Sequence, residues 1–176
     1  MRKIRLFIAM SLDGYIADSK GGVDWLVGQG NDDENIDSYS SFVKDIDTIL
    51  MGWNTYYHII TELSAEKWVY DEFISYVITH KKCVSCDNIC FTDESPVELV
   101  KKLREEDGKD VWICGGANLI QQLVREDLID SYYITIIPTI LGSGIRLFEN
   151  TKYEIRLRLL STRSYNGMTD LIYTRR

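Results

Sequence analysis

The stretch from Tyr153 to Arg175 constrains the fold more than any other. Tyr153 to Tyr165 alternates apolar and polar residues, Asn166-Gly167 follows, and Met168 to Arg175 alternates again. Asn-Gly between two period-2 runs signals a type I′ turn, because both central residues of that turn need positive φ. A C-terminal antiparallel β-hairpin is therefore expected. Upstream of it, strand-like runs alternate with helix-like runs, the pattern of a mostly parallel sheet covered by helices. The hairpin should add an antiparallel edge to that sheet.

The remaining elements follow from periodicity. Arg2 to Met10 puts Ile4, Leu6 and Ile8 on one face and Phe7 and Ala9 on the other, as in a central strand buried on both sides. Ser11 to Asp32 is rich in Gly and Asp and reads as a long, functional loop. Asn35 to Lys44 predicts a short helix with Ile36, Tyr39 and Val43 as its stripe. Asp47 to Met51, Glu72 to Thr79, Asn88 to Thr92, Asp110 to Cys114 and Ser131 to Ile137 predict strands. Trp53 to Leu63, Val97 to Glu106 and Ala117 to Arg125 predict helices, the second capped by Asp93 or Ser95 with Pro96 in its first turn.

The chain of 176 residues has no repeat or linker-like stretch, so residues 1–176 read as one domain. Its net charge of −7 repels a phosphate backbone and argues against nucleic acid as a partner. No apolar run is long enough to span a membrane, and Met1 to Met10 lacks a signal-peptide core, so a cytoplasmic location is expected. Cys83, Cys86, Cys90 and Cys114 are then expected as reduced thiols. His80 and Cys83-x-x-Cys86 hint at a metal, but no second pair completes a zinc set, and no metal is expected.

Two places combine a buried strand, glycine and a helix start. Val111 to Cys114 runs into Gly115-Gly116 and then Ala117, Asn118 and Leu119; Met51 runs into Gly52 and then Trp53, Asn54 and Thr55. Glycine lets a ligand approach the backbone, and a helix start offers free N–H groups and a positive dipole end. Either turn could be a plain strand-to-helix connection. Together, at the carboxyl ends of parallel strands, they would suit the two phosphates of a dinucleotide. Thr79-His80-Lys81 ends another strand in a cationic cluster that could meet a 2′-phosphate or stay solvated. Ser11 to Ala17 carries an Asp-Gly turn beside the first strand.

The ordered set SLDGYIA (11–17), MGWNTY (51–56), YVITHK (76–81), ICGGANLIQQL (113–123) and ITIIPTILGSGIRLF (134–148) resembles the dihydrofolate reductase superfamily. The resemblance is closer to the branch typified by the C-terminal reductase domain of bacterial riboflavin biosynthesis, the RibD C-terminal domain. It implies a three-layer α/β fold with a mostly parallel eight-stranded sheet, NADPH as hydride donor and a flat heterocyclic small-molecule substrate. By position, backbone at Ala9 and Ile16 would meet the nicotinamide. Gly52, Trp53, Asn54 and Thr55, with Cys114, Gly115, Gly116, Ala117, Asn118 and Leu119, would seat the phosphates. Thr79, His80 and Lys81 would lie by the adenosine ribose.

The resemblance also implies a substrate carboxylate, matched here by Asp37, with Thr135 as its partner. Asp37 equally suits a helix-start acid. Trp25 and the Gly142–Gly144 loop would border the mouth, and a homodimer through the C-terminal strands is implied. Trp53 stands where the family often has Arg, leaving His80 and Lys81 for the 2′-phosphate. Tyr15 stands where riboflavin-pathway reductases often carry a cation. The rival expectation is a non-catalytic nucleotide-binding or scaffold protein that kept the fold.

Overall fold

The computed structural model describes residues 1–30, 32–86, 88–149, 151 and 153–176. Asn31, inside the expected loop, lies outside these. The strands are β1 (Ile4–Ser11), β2 (Tyr15–Ala17), β3 (Ile46–Gly52), β4 (Ile74–Ile78), β5 (Ile89–Thr92), β6 (Asp110–Gly115), β7 (Ser131–Ile137), β8 (Ile145–Arg146), β9 (Leu157–Tyr165) and β10 (Met168–Arg175). The helices are α1 (Ser38–Val43), α2 (Trp53–His58), α3 (Pro96–Glu105) and α4 (Ala117–Arg125).

Eight strands form one sheet in the order β5-β4-β3-β6-β1-β7-β10-β9. β5 through β7 in that order pair in parallel; β10 is antiparallel to both β7 and β9. The hairpin turn takes φ 44° at Asn166 and 72° at Gly167, the two positive values that Asn-Gly accommodates. β9, not β10, is the edge strand.

Each face of the sheet buries its own core. On one, Ile4, Leu6, Leu50 and Ile113 meet Leu99, Val100 and Leu103 of α3 and Leu119, Ile120 and Leu123 of α4. On the other, Ile49, Met51, Val77 and Trp112 meet Phe42 of α1 and Ile59 after α2. Fully burying one such side chain contributes roughly 1.5–3 kcal/mol. Two faces covered by helices make the strands apolar on both sides, as the first strand's pattern required.

Four local readings need correction. The helix expected over Asn35 to Lys44 starts at Ser38, leaving Ile36 exposed before it, and Phe42 is the residue it buries. The helix expected to Leu63 is α-helical only to His58 and closes in one π-helical turn, Ile59–Leu63. The first hairpin strand starts at Leu157 rather than Tyr153. β2 and β8, unforeseen, pair antiparallel with each other as a separate two-stranded sheet.

Candidate functional site

β3 and β6 are adjacent and parallel, with Met51 opposite Gly115, so both glycine bends leave the same rim. A Cβ built on Gly52 would lie 3.8 Å from the Gly116 nitrogen. One built on Gly115 or Gly116 would lie 3.4 Å from Thr55 Oγ1. The two bends and the Thr55 hydroxyl therefore converge, with bare backbone between them. The Gly115–Gly116 peptide is cis. No side chain caps α2 or α4, so their first-turn amides are unclaimed by side chains. This rim offers donors and a positive dipole end to an anion.

The remaining members of the motifs divide into backbone and side-chain contributors. Leu119 is buried in the core below and can offer only its amide. Asn54 and Asn118 are exposed, and Asn118 Oδ1 accepts from Gln122 Nε2 at 2.7 Å. Ala117 is half-buried at the helix start. Cys114 is partly buried; desolvation pushes its thiol up to about 12, although the Tyr70 hydroxyl beside it favours the thiolate.

Next along the rim, β4 leads into buried Thr79, whose Oγ1 accepts from the Lys81 N–H at 3.1 Å. Lys81 Nζ lies 4.3 Å from the centroid of the Trp53 ring. Trp53 stacks on Tyr57 at 6.0 Å and packs near Tyr56 and Phe91. Where Arg is usual, Trp53 thus seats a neighbouring cation instead. His80 is exposed beside it.

Across β1, β7 and β10, Ala9 pairs with Thr135 and Thr135 with Asp170. Thr135 Oγ1 donates to Asp170 Oδ1 at 2.7 Å, and the Tyr165 hydroxyl donates to the same oxygen at 3.0 Å. The expected pairing of Thr135 with Asp37 is not made. Asp37 is exposed and accepts from the Ser40 N–H at 2.8 Å, which caps α1. Hydrogen bonding from Ser40 holds the Asp37 carboxyl below the usual range.

The loop after β1 is clamped to the loop before β8. Asp13 accepts from Ser11 Oγ (2.6 Å), the Gly142 N–H (2.8 Å) and the Leu141 N–H (3.1 Å). Those bonds, Ser11's first, lower the Asp13 carboxyl to about 2. Arg146 lies 4.7 Å over the Tyr15 ring and donates to its hydroxyl at 3.1 Å, so the cation missing from position 15 arrives from β8. Ile16 packs on the core. Trp25 is half-buried and its indole N–H donates to the Gly22 carbonyl at 3.2 Å.

Asp170 and Arg146 were missed in the sequence. A charge inside the alternating run after Asn166-Gly167 was the available signal for Asp170. Arg146 had none. A concavity of about 510 Å³ lies at the opposite rim near Asp127, Arg156 and Arg175. Two of its guanidinium groups are ion-paired, Arg175 with Asp127 and Asp130 and Arg156 with Glu154, and among the described residues no glycine lines it. All four cysteines are free, and among the described residues no cluster of three or more His, Cys, Asp or Glu is placed to hold a metal. No described helix is long and apolar enough to cross a membrane.

Known proteins share this architecture. The chain is 36% identical over 175 residues to the uncharacterised protein YwjB of Bacillus subtilis (strain 168), spanning 99% of this chain and 98% of that one. A Shewanella sp. PV-4 structure named for riboflavin biosynthesis superposes with a TM-score of 0.83 at 28% identity, covering 99% of both chains. Dihydrofolate reductase from Enterococcus faecalis, solved with NADP(H), superposes with a TM-score of 0.69 at 17% identity, over 98% of this chain and 96% of that one. The last likeness establishes a dihydrofolate-reductase-like fold. The model of the RibD C-terminal domain matches residues 2–170, and the chain belongs to that family.

Proposed function

We propose that the protein is an NADPH-dependent reductase acting on a flat, nitrogen-rich heterocycle. One observation carries this reading: the Gly52 and Gly115–Gly116 bends meet at one rim with uncapped helix starts beside them. The residues fit a dinucleotide. Gly52 to Thr55 and Gly115 to Leu119 would hold the phosphates through amides and the Thr55 hydroxyl. Lys81, seated on Trp53, and His80 would meet a 2′-phosphate. Ala9 and Ile16 would present backbone to the nicotinamide carboxamide.

When bound, the cofactor supplies the hydride; the protein contributes position and electrostatics. Partly buried Phe7 and Tyr133, with exposed Tyr39 edge-on to Phe7, would form the apolar wall for a planar substrate. Trp25 and the Gly142–Gly144 loop would border the mouth. Asp37, committed to capping α1, is given no proton-transfer role. A homodimer through edge strand β9 belongs to the same reading, with sedimentation as its check.

A second substrate reading, a phosphoribosylamino-pyrimidine, is favoured by Arg146 over Tyr15, which restores a cation for a phosphate. NADPH oxidation measured with dihydrofolate and with 5-amino-6-(5-phosphoribosylamino)uracil distinguishes the two. The cofactor is tested first, by calorimetry and thermal melting. At 100 times its Kd, NADPH should stabilise the fold by about 2.7 kcal/mol, and NADH at the same concentration by less. No binding of either nucleotide would leave the non-catalytic scaffold as the better reading.

A further inference from the structure

The geometry points to the Tyr39 and Tyr70 hydroxyls as a subsite for an uncharged oxygen acceptor, a carbonyl or hydroxyl borne on a substituent of the planar substrate. This rests on the proposed reading only in placing a heterocycle against the aromatic wall; it does not require hydride transfer.

The two tyrosines reach one ring from two segments. Tyr39, in α1, meets the Trp112 ring edge-on at 5.8 Å and the Phe7 ring at 6.3 Å. Tyr70, just before β4, meets the same Trp112 ring edge-on at 5.2 Å. Side chains alternate along a strand, so Trp112 and Cys114 share one face of β6, with Cys114 next to the Gly115–Gly116 bend. The Tyr70 hydroxyl lies against the Cys114 sulfur, and the Tyr39 hydroxyl faces the same thiol. Both hydroxyls therefore converge where the aromatic wall meets the glycine rim.

Neither hydroxyl bonds an oxygen or nitrogen acceptor among the described residues. Tyr39 is 37% exposed and the Tyr70 hydroxyl keeps accessible surface, so a ligand can reach both. Sulfur is a weak acceptor, and the Tyr70 O–H gains by exchanging it for a ligand oxygen. Burial pushes both hydroxyls above their ordinary range, so they remain donors at neutral pH.

The surrounding charge selects among acceptors. Among the described residues no Lys or Arg acts on either hydroxyl, and the ionised group that does act on Tyr39 is the Glu72 carboxylate. A phosphate or carboxylate here would be desolvated beside a like charge with no counter-ion. A neutral carbonyl carries no such penalty. A pocket that offers partly buried donors also discriminates against an analogue lacking the acceptor, because the donors are then left unpaired.

The test uses the full chain and three probes titrated by calorimetry: 6-acetylpterin, 6-ethylpterin and 6-carboxypterin. The acetyl probe should bind about 3- to 10-fold more tightly than the ethyl probe, the gain of a neutral hydrogen bond. It should also bind more tightly than the carboxylate. Tyr70→Phe should bring the acetyl-to-ethyl ratio close to 1, and Tyr39→Phe should lower it, while the Kd for 6-ethylpterin stays within about 2-fold. In the unsubstituted protein, the ketone stretch of bound 6-acetylpterin should move to lower wavenumber than in solvent-free reference, as a donated hydrogen bond requires. That spectrum decides the matter if neither variant folds. Equal affinity for the acetyl and ethyl probes, preference for the carboxylate, a ratio unchanged in both variants, an unshifted ketone band, or no binding of any probe would each overturn the inference. If the probes behave as expected but NADPH does not bind, the reductase reading falls and the acceptor subsite stands. If NADPH binds and the probes show no preference, the subsite falls alone.

Discussion

Replacing Lys81 with Ala tests the proposed contact between its ammonium and the 2′-phosphate of NADPH. Lys81 is exposed, and its ammonium lies 4.3 Å from the Trp53 ring centroid. An exposed cation–π contact contributes about 0.5–1 kcal/mol, so the fold should lose no more than that. Toward a phosphate about 4 Å away, unit charges attract by about 1 kcal/mol in water and about 4 kcal/mol at an effective dielectric of 20. The rim is open on one side and walled by Trp53 and Phe91 on the other, so a value of roughly 1–3 kcal/mol applies. NADPH should then bind roughly 5- to 150-fold more weakly to Lys81→Ala, while the Kd for NADH stays the same. Calorimetry with both nucleotides at one ionic strength measures the difference. Equal losses for both, or no loss for NADPH, would refute the assignment of Lys81 to the 2′-phosphate.

Three other outcomes are expected. Gly144 has φ +149°, and a Cβ there would lie 2.2 Å from the Ala17 carbonyl oxygen, so Gly144→Ala should unseat β8 from β2 and lower the melting temperature, with a cost of at least about 1–3 kcal/mol. The Asp13 carboxyl titrates near 2 in the fold, below its ordinary 3.8, so its contribution to stability is complete above about pH 4 and lost as pH falls toward 2; Asp13→Asn should flatten that acid limb in melts between pH 2 and 5. At pH 8 a thiol reagent should label exposed Cys86 promptly and leave Cys114 unmodified, since desolvation holds the Cys114 thiol near 12; rapid loss of two or more thiols that includes Cys114 would contradict its placement.

What could be read from the chain were features encoded within a few residues. Asn166-Gly167 specified its turn because both residues take the positive φ values that a type I′ turn requires. The helix over Ala117–Arg125 and the strand before it showed in their periods, and the two glycine bends showed as strand-glycine-helix triplets. Their convergence at one rim followed from parallel strands having their carboxyl ends together. Asp37 was legible as a helix-start acid and as a substrate acid; the short helix it caps settled its carboxylate on Ser40.

The sequence by itself determined the hairpin, the alternation of strands and helices, and the glycine-lined rim, because turn chemistry and hydrophobic period act over neighbouring residues. Only the tertiary structure decided which polar groups meet. Thr135 and Asp170 lie 35 residues apart, Asp13 and Gly142 129, and Tyr15 and Arg146 131. Strand order brings each of these pairs together, and a pairing set by the order of strands leaves no trace in the local pattern of either residue.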